Sequence, residues 1–347
     1  MAEMMKAYRF EGVEKAALRE VPIPEIGPDE ILVKSRANGI CHSDYEALEG
    51  RYVIPYSFPF TPGHEWSGEV VKVGENVTTY APGDRVVGEC VIGCGTCSIC
   101  QSGNFTACPQ ADHFGYTIDG AVAEYLAARP EWLHKIPEGL DYETAAMVEP
   151  FSVAYYGIYH LGGTDASETV VVSGGGAIGS CAIAAAKAMG AKVILVEPQK
   201  YRQGIGKQLG ADHIVDPTTE DAIQAVQDLT DGLGADLVVE CSGTGVGLKS
   251  TFEYVKNAGR ISFVSINLKD EIPTLLGNFQ KKAITAKGSP GSPYVWDKVI
   301  AFLNQSKIDL SPIVTKTFPL AQADEAYKFA RDQKSNDFIR VLVVNED

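Results

Sequence analysis

The stretch TVVVSGGGAIGSCAIAAAKAMGAKVILVE, residues 169–197, decides the fold. It opens on a β-branched run, TVVVS (169–173), and turns through Gly174, Gly176 and Gly179. An alanine-rich segment of helical texture follows, then a second β-type run, KVILVE (192–197). Strands joined this way lie parallel, because a parallel pair needs a long crossover. The alternation continues through HIV (213–215), ADLVVEC (235–241), GRISFVS (259–265) and AITAK (283–287), with segments such as EDAIQAVQDLT (220–230) between them. These runs predict an α/β unit built on a doubly wound parallel sheet. A helix is expected over 199–209 although Gly204 and Gly206 lie inside it, each costing about 1 kcal/mol relative to Ala.

The glycines have a chemical reading. Gly174, Gly176 and Gly179 fit G-x-G-x-x-G, with Ala177 and Ile178 between the last two. The first permits a tight turn, the second lets the backbone approach a pyrophosphate, and the third lets helix and strand pack closely. The helix N-terminus then offers free N–H groups to phosphates. Glu197 ends the next strand, where it can accept hydrogen bonds from a ribose diol and would repel a 2′-phosphate. The stretch therefore predicts a dinucleotide site preferring NAD over NADP. Arg202 lies close enough in sequence to reach the same ribose and pulls the other way. Ser265, at the end of a later strand, is a further candidate cofactor contact. A glycine-rich turn without any cofactor is the plain alternative.

Upstream the texture differs. Short β-type runs such as EILVKSRANGI (30–40), GEVVKVGENV (68–77) and GDRVVGECVI (83–92) alternate with Gly and Pro turns, which predicts a mostly antiparallel β-domain. After about Ser289 a helix, VWDKVIAFLNQ, precedes β-runs ending in FIRVLVV, so the chain is expected to return to the first domain. At 347 residues two domains are expected. Hydrophobic residues make up 45% and charged residues 22%, a globular composition. The net charge of −15 disfavours a nucleic-acid partner. No apolar run reaches membrane-spanning length and the N-terminus lacks a signal-peptide core, so a cytoplasmic protein is expected. In that compartment the 8 cysteines suit metal rather than disulfides.

Cys94, Cys97, Cys100 and Cys108 give C-x2-C-x2-C-x7-C, a set able to close a tetrahedral site around a structural zinc. An iron–sulfur cluster is the rival, and unliganded thiols are the bland reading. Cys90, Cys181 and Cys241 lie in or beside apolar runs and read as buried fillers. A second constellation is looser. Cys41 in GICHSD, with His64 and Glu65 in PGHEWSG, offers a thiolate, an imidazole and a carboxylate. Such a set can hold zinc and leave a position open for water or substrate.

GHEWSGEVVKVGENV followed by PGDRVVG resembles the signature of zinc-dependent alcohol dehydrogenases of the medium-chain dehydrogenase/reductase superfamily. The cysteine lobe and GGGAIG match the same family in order, and AMVEPFSVAYYG (146–157) is similar to the Glu-Pro form of sorbitol and threonine dehydrogenases. The resemblance implies a GroES-like catalytic domain of residues 1–151 and 290–347, carrying the zinc lobe 94–108. A Rossmann domain of residues 152–289 would be inserted in it, with an active site between the two and a homodimer or homotetramer as the assembly. It implies Cys41 and His64 as catalytic zinc ligands, Glu65 as a carboxylate on or behind the metal, and Glu149 at the position of the third ligand. Ser43 would pass the substrate proton and Asp44 would orient the ligand histidine. His42 would lie near the cofactor pyrophosphate and Val153 beside the nicotinamide.

Two departures stand out. Many relatives end the proton relay on a histidine where this chain has Glu46, so the relay either uses that carboxylate or another route. Sorbitol dehydrogenases carry an Arg-Tyr pair where this chain has Gly291 and Ser292, so sorbitol is not assumed as substrate. Tyr45, Phe114 and Tyr116 are candidates for the pocket lining. The expected activity is zinc- and NAD-dependent oxidation of a secondary alcohol in a polyol, sugar or related hydroxy compound. Amino-alcohol oxidation of the threonine dehydrogenase kind is the alternative enzyme. A non-catalytic nucleotide-binding protein on the same fold is the alternative of another class.

Overall fold

The computed structural model describes residues 3–333 and 335–345. The chain forms two compact units: Met1–Glu149 with Trp296–Gln305 and Val314–Asp347, and Pro150–Val295 with Ser306–Ile313.

The first unit is a β-structure. Strands Met4–Gly12 and Lys15–Pro22 form an antiparallel hairpin whose turn places Glu14 at φ 56°. The main sheet runs in the order Val314–Pro319, Arg340–Val344, Ile31–Gly39, Glu65–Val73, Arg85–Gly88, Leu133–Lys135, with Tyr125–Ala128 also pairing with Ile31–Gly39. Its pairs are antiparallel except Val314–Pro319 with Arg340–Val344. Most residues of Ile31–Gly39 are buried and none is exposed, as expected of an interior strand covered on both faces. Trp66, Phe114, Val86 and Leu126 form one apolar cluster. Tyr8, Phe10, Tyr45, Tyr116 and Tyr327 belong to another, in which the Ala323–Arg331 helix takes part.

The second unit holds the parallel sheet. Its order is His213–Val215, Lys192–Val196, Thr169–Ser173, Ala235–Glu240, Val255–Phe263, Thr285–Gly288, every pair parallel. The chain winds one way from Thr169–Ser173 and then the other, so the order reverses at that strand, where such sheets open a crevice. The Val255–Phe263 strand starts earlier than GRISFVS predicts, across a register shift that includes Ala258 at φ 57°. Gly179 packs so closely that a Cβ would stand 1.8 Å from the Gly174 carbonyl oxygen, which restricts the position to glycine.

Candidate active site

The strand register builds the first half of the site. Gly39 pairs with Glu65, so the chain leaving Ile31–Gly39 brings Cys41 beside His64 and Glu65. The Cys41 thiol, a His64 ring nitrogen and a Glu65 carboxylate oxygen all lie within 4.8 Å of one another. His64 Nε2 is 3.9 Å from Glu65 Oε1, and that oxygen is 3.1 Å from Arg340 Nη2. Arg340 Nη1 donates to the Ile40 carbonyl at 2.6 Å. Glu65 is 1% exposed, yet its Oε2 is a buried oxygen with no hydrogen-bond partner. Burial alone would lower the His64 pKa, but Cys90, Asp44 and Cys41 outweigh it and the net direction is up. The unsatisfied carboxylate oxygen, beside a thiol and an imidazole, suits a bound cation.

Other expected residues gather here. Asp44 is fully buried on the short helix His42–Leu48; its Oδ2 accepts the Cys41 N–H at 3.0 Å and its Oδ1 is 3.4 Å from His64 Nδ1. Ser43 Oγ accepts from the Tyr116 hydroxyl at 2.7 Å. Glu149 lies outside the ligand trio but is electrostatically close to it; burial, with the Glu65 charge added, pushes its carboxyl up to about 7. Glu46 turns elsewhere: its carboxylate pairs with Arg51, which also pairs with Glu49. His42 is exposed at the start of its helix. Of the three pocket candidates, Phe114 is fully buried against Trp66 and Tyr45 is buried with its hydroxyl unpartnered, so both belong to the core. Tyr116 alone reaches the site.

The four thiols of the lobe also lie within 4.8 Å of one another, with Cys94 to Cys100 at 4.0 Å and Cys97 to Cys108 at 3.8 Å. Four sulfurs about 2.3 Å from one tetrahedral ion would stand about 3.8 Å apart, so a single ion of zinc's size fits. A cubic iron–sulfur cluster would spread the thiolates further. Backbone N–H groups of Cys97, Cys100 and Gln110 each point at a sulfur at 3.4 Å. The Thr96 hydroxyl and neighbouring N–H groups hold the Cys94 thiol down at about 6, whereas burial pushes that of Cys100 up to about 12.

In the second unit a cavity opens at the sheet reversal, lined by Gly174, Gly176, Glu197, Arg202, Ser242 and Thr244 among others. Gly176 caps the helix Ala177–Ala188, whose first residues are Ala177 and Ile178. Glu197 is 2% exposed and accepts the Gly175 N–H at 2.6 Å and the Gln199 N–H at 2.8 Å. Ser265 is not among the cavity-lining residues; its hydroxyl donates to the buried Glu240. Val153 is half-buried on the helix Val148–Tyr155.

Residues 27–138 match the alcohol dehydrogenase GroES-like domain and residues 177–305 the zinc-binding dehydrogenase domain. A sorbitol dehydrogenase from Halalkalibacterium halodurans is 34% identical, with 97% of each chain covered. An L-threonine 3-dehydrogenase from Caldanaerobacter subterraneus subsp. tengcongensis is 35% identical over 93% of each. Among solved structures, a zinc-binding dehydrogenase type protein from Sinorhizobium meliloti 1021 bound to NADP superposes with a TM-score of 0.93, at 31% identity and 99% coverage of both chains. The chain belongs to the zinc-dependent medium-chain dehydrogenase/reductase family. It stands in the branch of sorbitol, arabitol-phosphate and threonine dehydrogenases, with the GroES-like and Rossmann architecture of that family.

Three residues around the Cys41–His64–Glu65 trio escaped the sequence reading. Arg340 looked like one charge in the apolar run FIRVLVV, and no local pattern ties it to Glu65. Tyr327, on the Ala323–Arg331 helix, donates to Asp44 Oδ2 at 3.4 Å. Cys90 reads as a filler, but the antiparallel register Ser67 to Val87 and Gly68 to Val86, carried on, sets it opposite His64. Its thiol is raised first by burial, with Glu149, Cys41 and Glu65 adding to the shift. The register offered the one available signal: the spacing of two neighbouring strands.

Proposed function

We propose that this protein transfers a hydride between a secondary alcohol of a polyol, sugar or related hydroxy compound and NAD, using one catalytic and one structural zinc. The observation that carries the reading is the convergence of Cys41, His64 and Glu65 around an unsatisfied buried carboxylate oxygen, beside Ser43. Zinc held by that trio would act as a Lewis acid that lowers the pKa of a substrate hydroxyl. Ser43 would relay the hydroxyl proton, releasing its own hydrogen as it takes that of the substrate. Asp44 faces the far side of the His64 ring, and Arg340 holds one Glu65 oxygen in place. Glu149, close to the Glu65 charge, is a further carboxylate for the metal or its water. The four-thiol lobe holds the structural zinc and gives order to a segment with little apolar core.

Glu197 supports NAD, since its charge lines the cofactor cavity where a 2′-phosphate would lie. His42, Val153 and the Gly174–Gly179 turn are proposed cofactor contacts. The catalytic domain is proposed to comprise residues 1–151 and 290–347, and the cofactor domain residues 152–289. Family resemblance supports a homodimer or homotetramer, and a reducing cytoplasm would keep the cysteine thiols available to zinc. The second reading, oxidation of an amino alcohol, is favoured by the threonine dehydrogenase relative at 35% identity. A panel of polyols, sugar acids, sugar phosphates and L-threonine, followed by nicotinamide absorbance with NAD and then NADP, tests the substrate class and the cofactor. Turnover on a polyol or sugar derivative with NAD is expected. Turnover confined to L-threonine, or to NADP, would replace the reading.

A further inference from the structure

One phenolic oxygen touches three groups of the metal site. The Tyr116 hydroxyl donates to Ser43 Oγ at 2.7 Å and stands 3.3 Å from His64 Nδ1 and 3.4 Å from Asp44 Oδ1. The residue is 2% exposed, and its ring packs on those of His64 and Tyr52 with centroids 5.3 and 4.8 Å away. A tight turn fixes it there. Phe114 N–H donates to the Cys90 carbonyl at 3.1 Å, Gly115 N–H to that of Ile118 at 2.8 Å, and Tyr116 N–H to that of His113 at 3.2 Å.

A metal-ligating imidazole needs an acceptor for its other ring N–H. Asp44 is the expected one, but its Oδ1 is 3.4 Å from Nδ1 and its Oδ2 already receives the Cys41 N–H and the Tyr327 hydroxyl. The Tyr116 oxygen is as near. Asp44 Oδ1 could also accept its hydrogen, at 3.4 Å, but the shorter contact of 2.7 Å takes that hydrogen to Ser43, so a lone pair remains for the Nδ1–H.

We propose that Tyr116 is a positioning residue joining the ligand histidine to the proton-relaying serine, in the directed chain His64 Nδ1–H to Tyr116 to Ser43. The proposal rests on the zinc dehydrogenase reading of Cys41, His64 and Glu65. Two effects follow from the one hydroxyl. His64 is held in the tautomer that leaves Nε2, the nitrogen facing Glu65, with its lone pair for a cation. Ser43 receives a donor on one lone pair, so its own hydrogen turns away from Tyr116 and its other lone pair is the one left for a substrate hydroxyl. A phenylalanine would fill the same space and supply neither effect.

The test uses the full-length zinc-loaded protein, with Tyr116→Phe and, as a control for removing a hydroxyl from the same aromatic cluster, Tyr56→Phe, whose ring packs on Phe58 and Phe60. Chelator competition gives the affinity of each zinc, and cobalt substitution gives the spectrum of the catalytic site. Tyr116→Phe is expected to weaken the catalytic zinc about tenfold or more, to shift the cobalt spectrum, and to leave the four-thiol zinc unchanged. It is also expected to lower kcat with an unchanged KM for NAD. Tyr56→Phe is expected to match the wild type. If Tyr116→Phe fails to fold, Ser43→Ala breaks the chain at its other end and is expected to weaken the same zinc by a smaller factor. Unchanged zinc affinity in the variant that folds, or equal losses in Tyr116→Phe and Tyr56→Phe, would overturn the proposal. Wild type that binds only one zinc would remove the dehydrogenase reading and this inference together. Wild type with two zincs beside an indistinguishable Tyr116→Phe would remove this inference alone.

Discussion

At the scale of single residues, the Glu65–Arg340 pair decides most. Both are buried, and Arg340 is the cation in contact with a carboxylate whose other oxygen has no partner. Removing one member of a buried pair leaves the other charge uncompensated, at a cost of about 3 kcal/mol or more. Arg340→Met should therefore lower the stability of metal-free protein by about that amount in urea denaturation. The loss should be smaller with zinc bound, because the ion then balances Glu65. An equal loss with and without zinc would show that Arg340 acts through packing alone. The convergence of Cys41, His64 and Glu65 was legible, since each sits in a recognisable local motif. Arg340 and Tyr327 were not, because each meets the site through a sheet or helix contact that a one-dimensional pattern does not encode.

At the scale of elements, the two glycines of the helix Lys200–Gln208 separate cleanly. A Cβ on Gly206 would stand 2.4 Å from Leu195 Cδ2 in the buried core, whereas a Cβ on Gly204 would meet nothing within 4 Å. Gly204→Ala is expected to stabilise the protein by up to about 1 kcal/mol, and Gly206→Ala to destabilise it by about 1–3 kcal/mol. Thermal melting of the two variants against wild type checks both signs. A second element-scale feature is the clasp on the helix Trp296–Ser306. His134 stacks on Trp296 and places Nε2 3.0 Å from Glu89 Oε1 and Nδ1 2.7 Å from Asp297 Oδ1. Burial lowers the His134 pKa, but the two carboxylates outweigh it and the net direction is up from 6.5. A raised histidine contributes stability that is present below the unfolded value and lost as pH rises through the folded one. The melting difference between wild type and His134→Gln should thus be larger near pH 6 than near pH 9. A difference that grows with pH would contradict the clasp. Strand positions such as Thr169–Ser173 fall where the β-branched run places them. The Met4–Gly12 hairpin was silent in the sequence because Glu14, and no glycine or asparagine, takes the left-handed turn position.

At the scale of the whole molecule, the two proposed metal sites are expected to fail differently. Cys97→Ser opens a closed set of four thiolates and should lower the melting temperature and the zinc content together. Cys41→Ala should abolish turnover while NAD binding and melting stay near wild type. Metal analysis with calorimetry separates the two, and unchanged melting and zinc content in Cys97→Ser would deny the lobe its structural role. The division into an antiparallel and a parallel unit was legible from the change of texture near Ser167, because period-two runs with turns and runs alternating with helices are different patterns. The insertion of one unit inside the other has a consequence for the order of events on the ribosome. Residues 150–295 leave the exit tunnel as one stretch carrying all six of their parallel strands, and can fold while synthesis continues. The Ile31–Gly39 strand emerges long before them, but its neighbour Arg340–Val344 comes only after them. Until then the Ala37–Gly39 end of the earlier strand offers the nascent chain an open edge, and Glu65 waits without its arginine. The Cys41–His64–Glu65 trio is thereby tied to the final stage of translation, and a chain interrupted after the parallel unit would carry a parallel-sheet fold attached to an unfinished one.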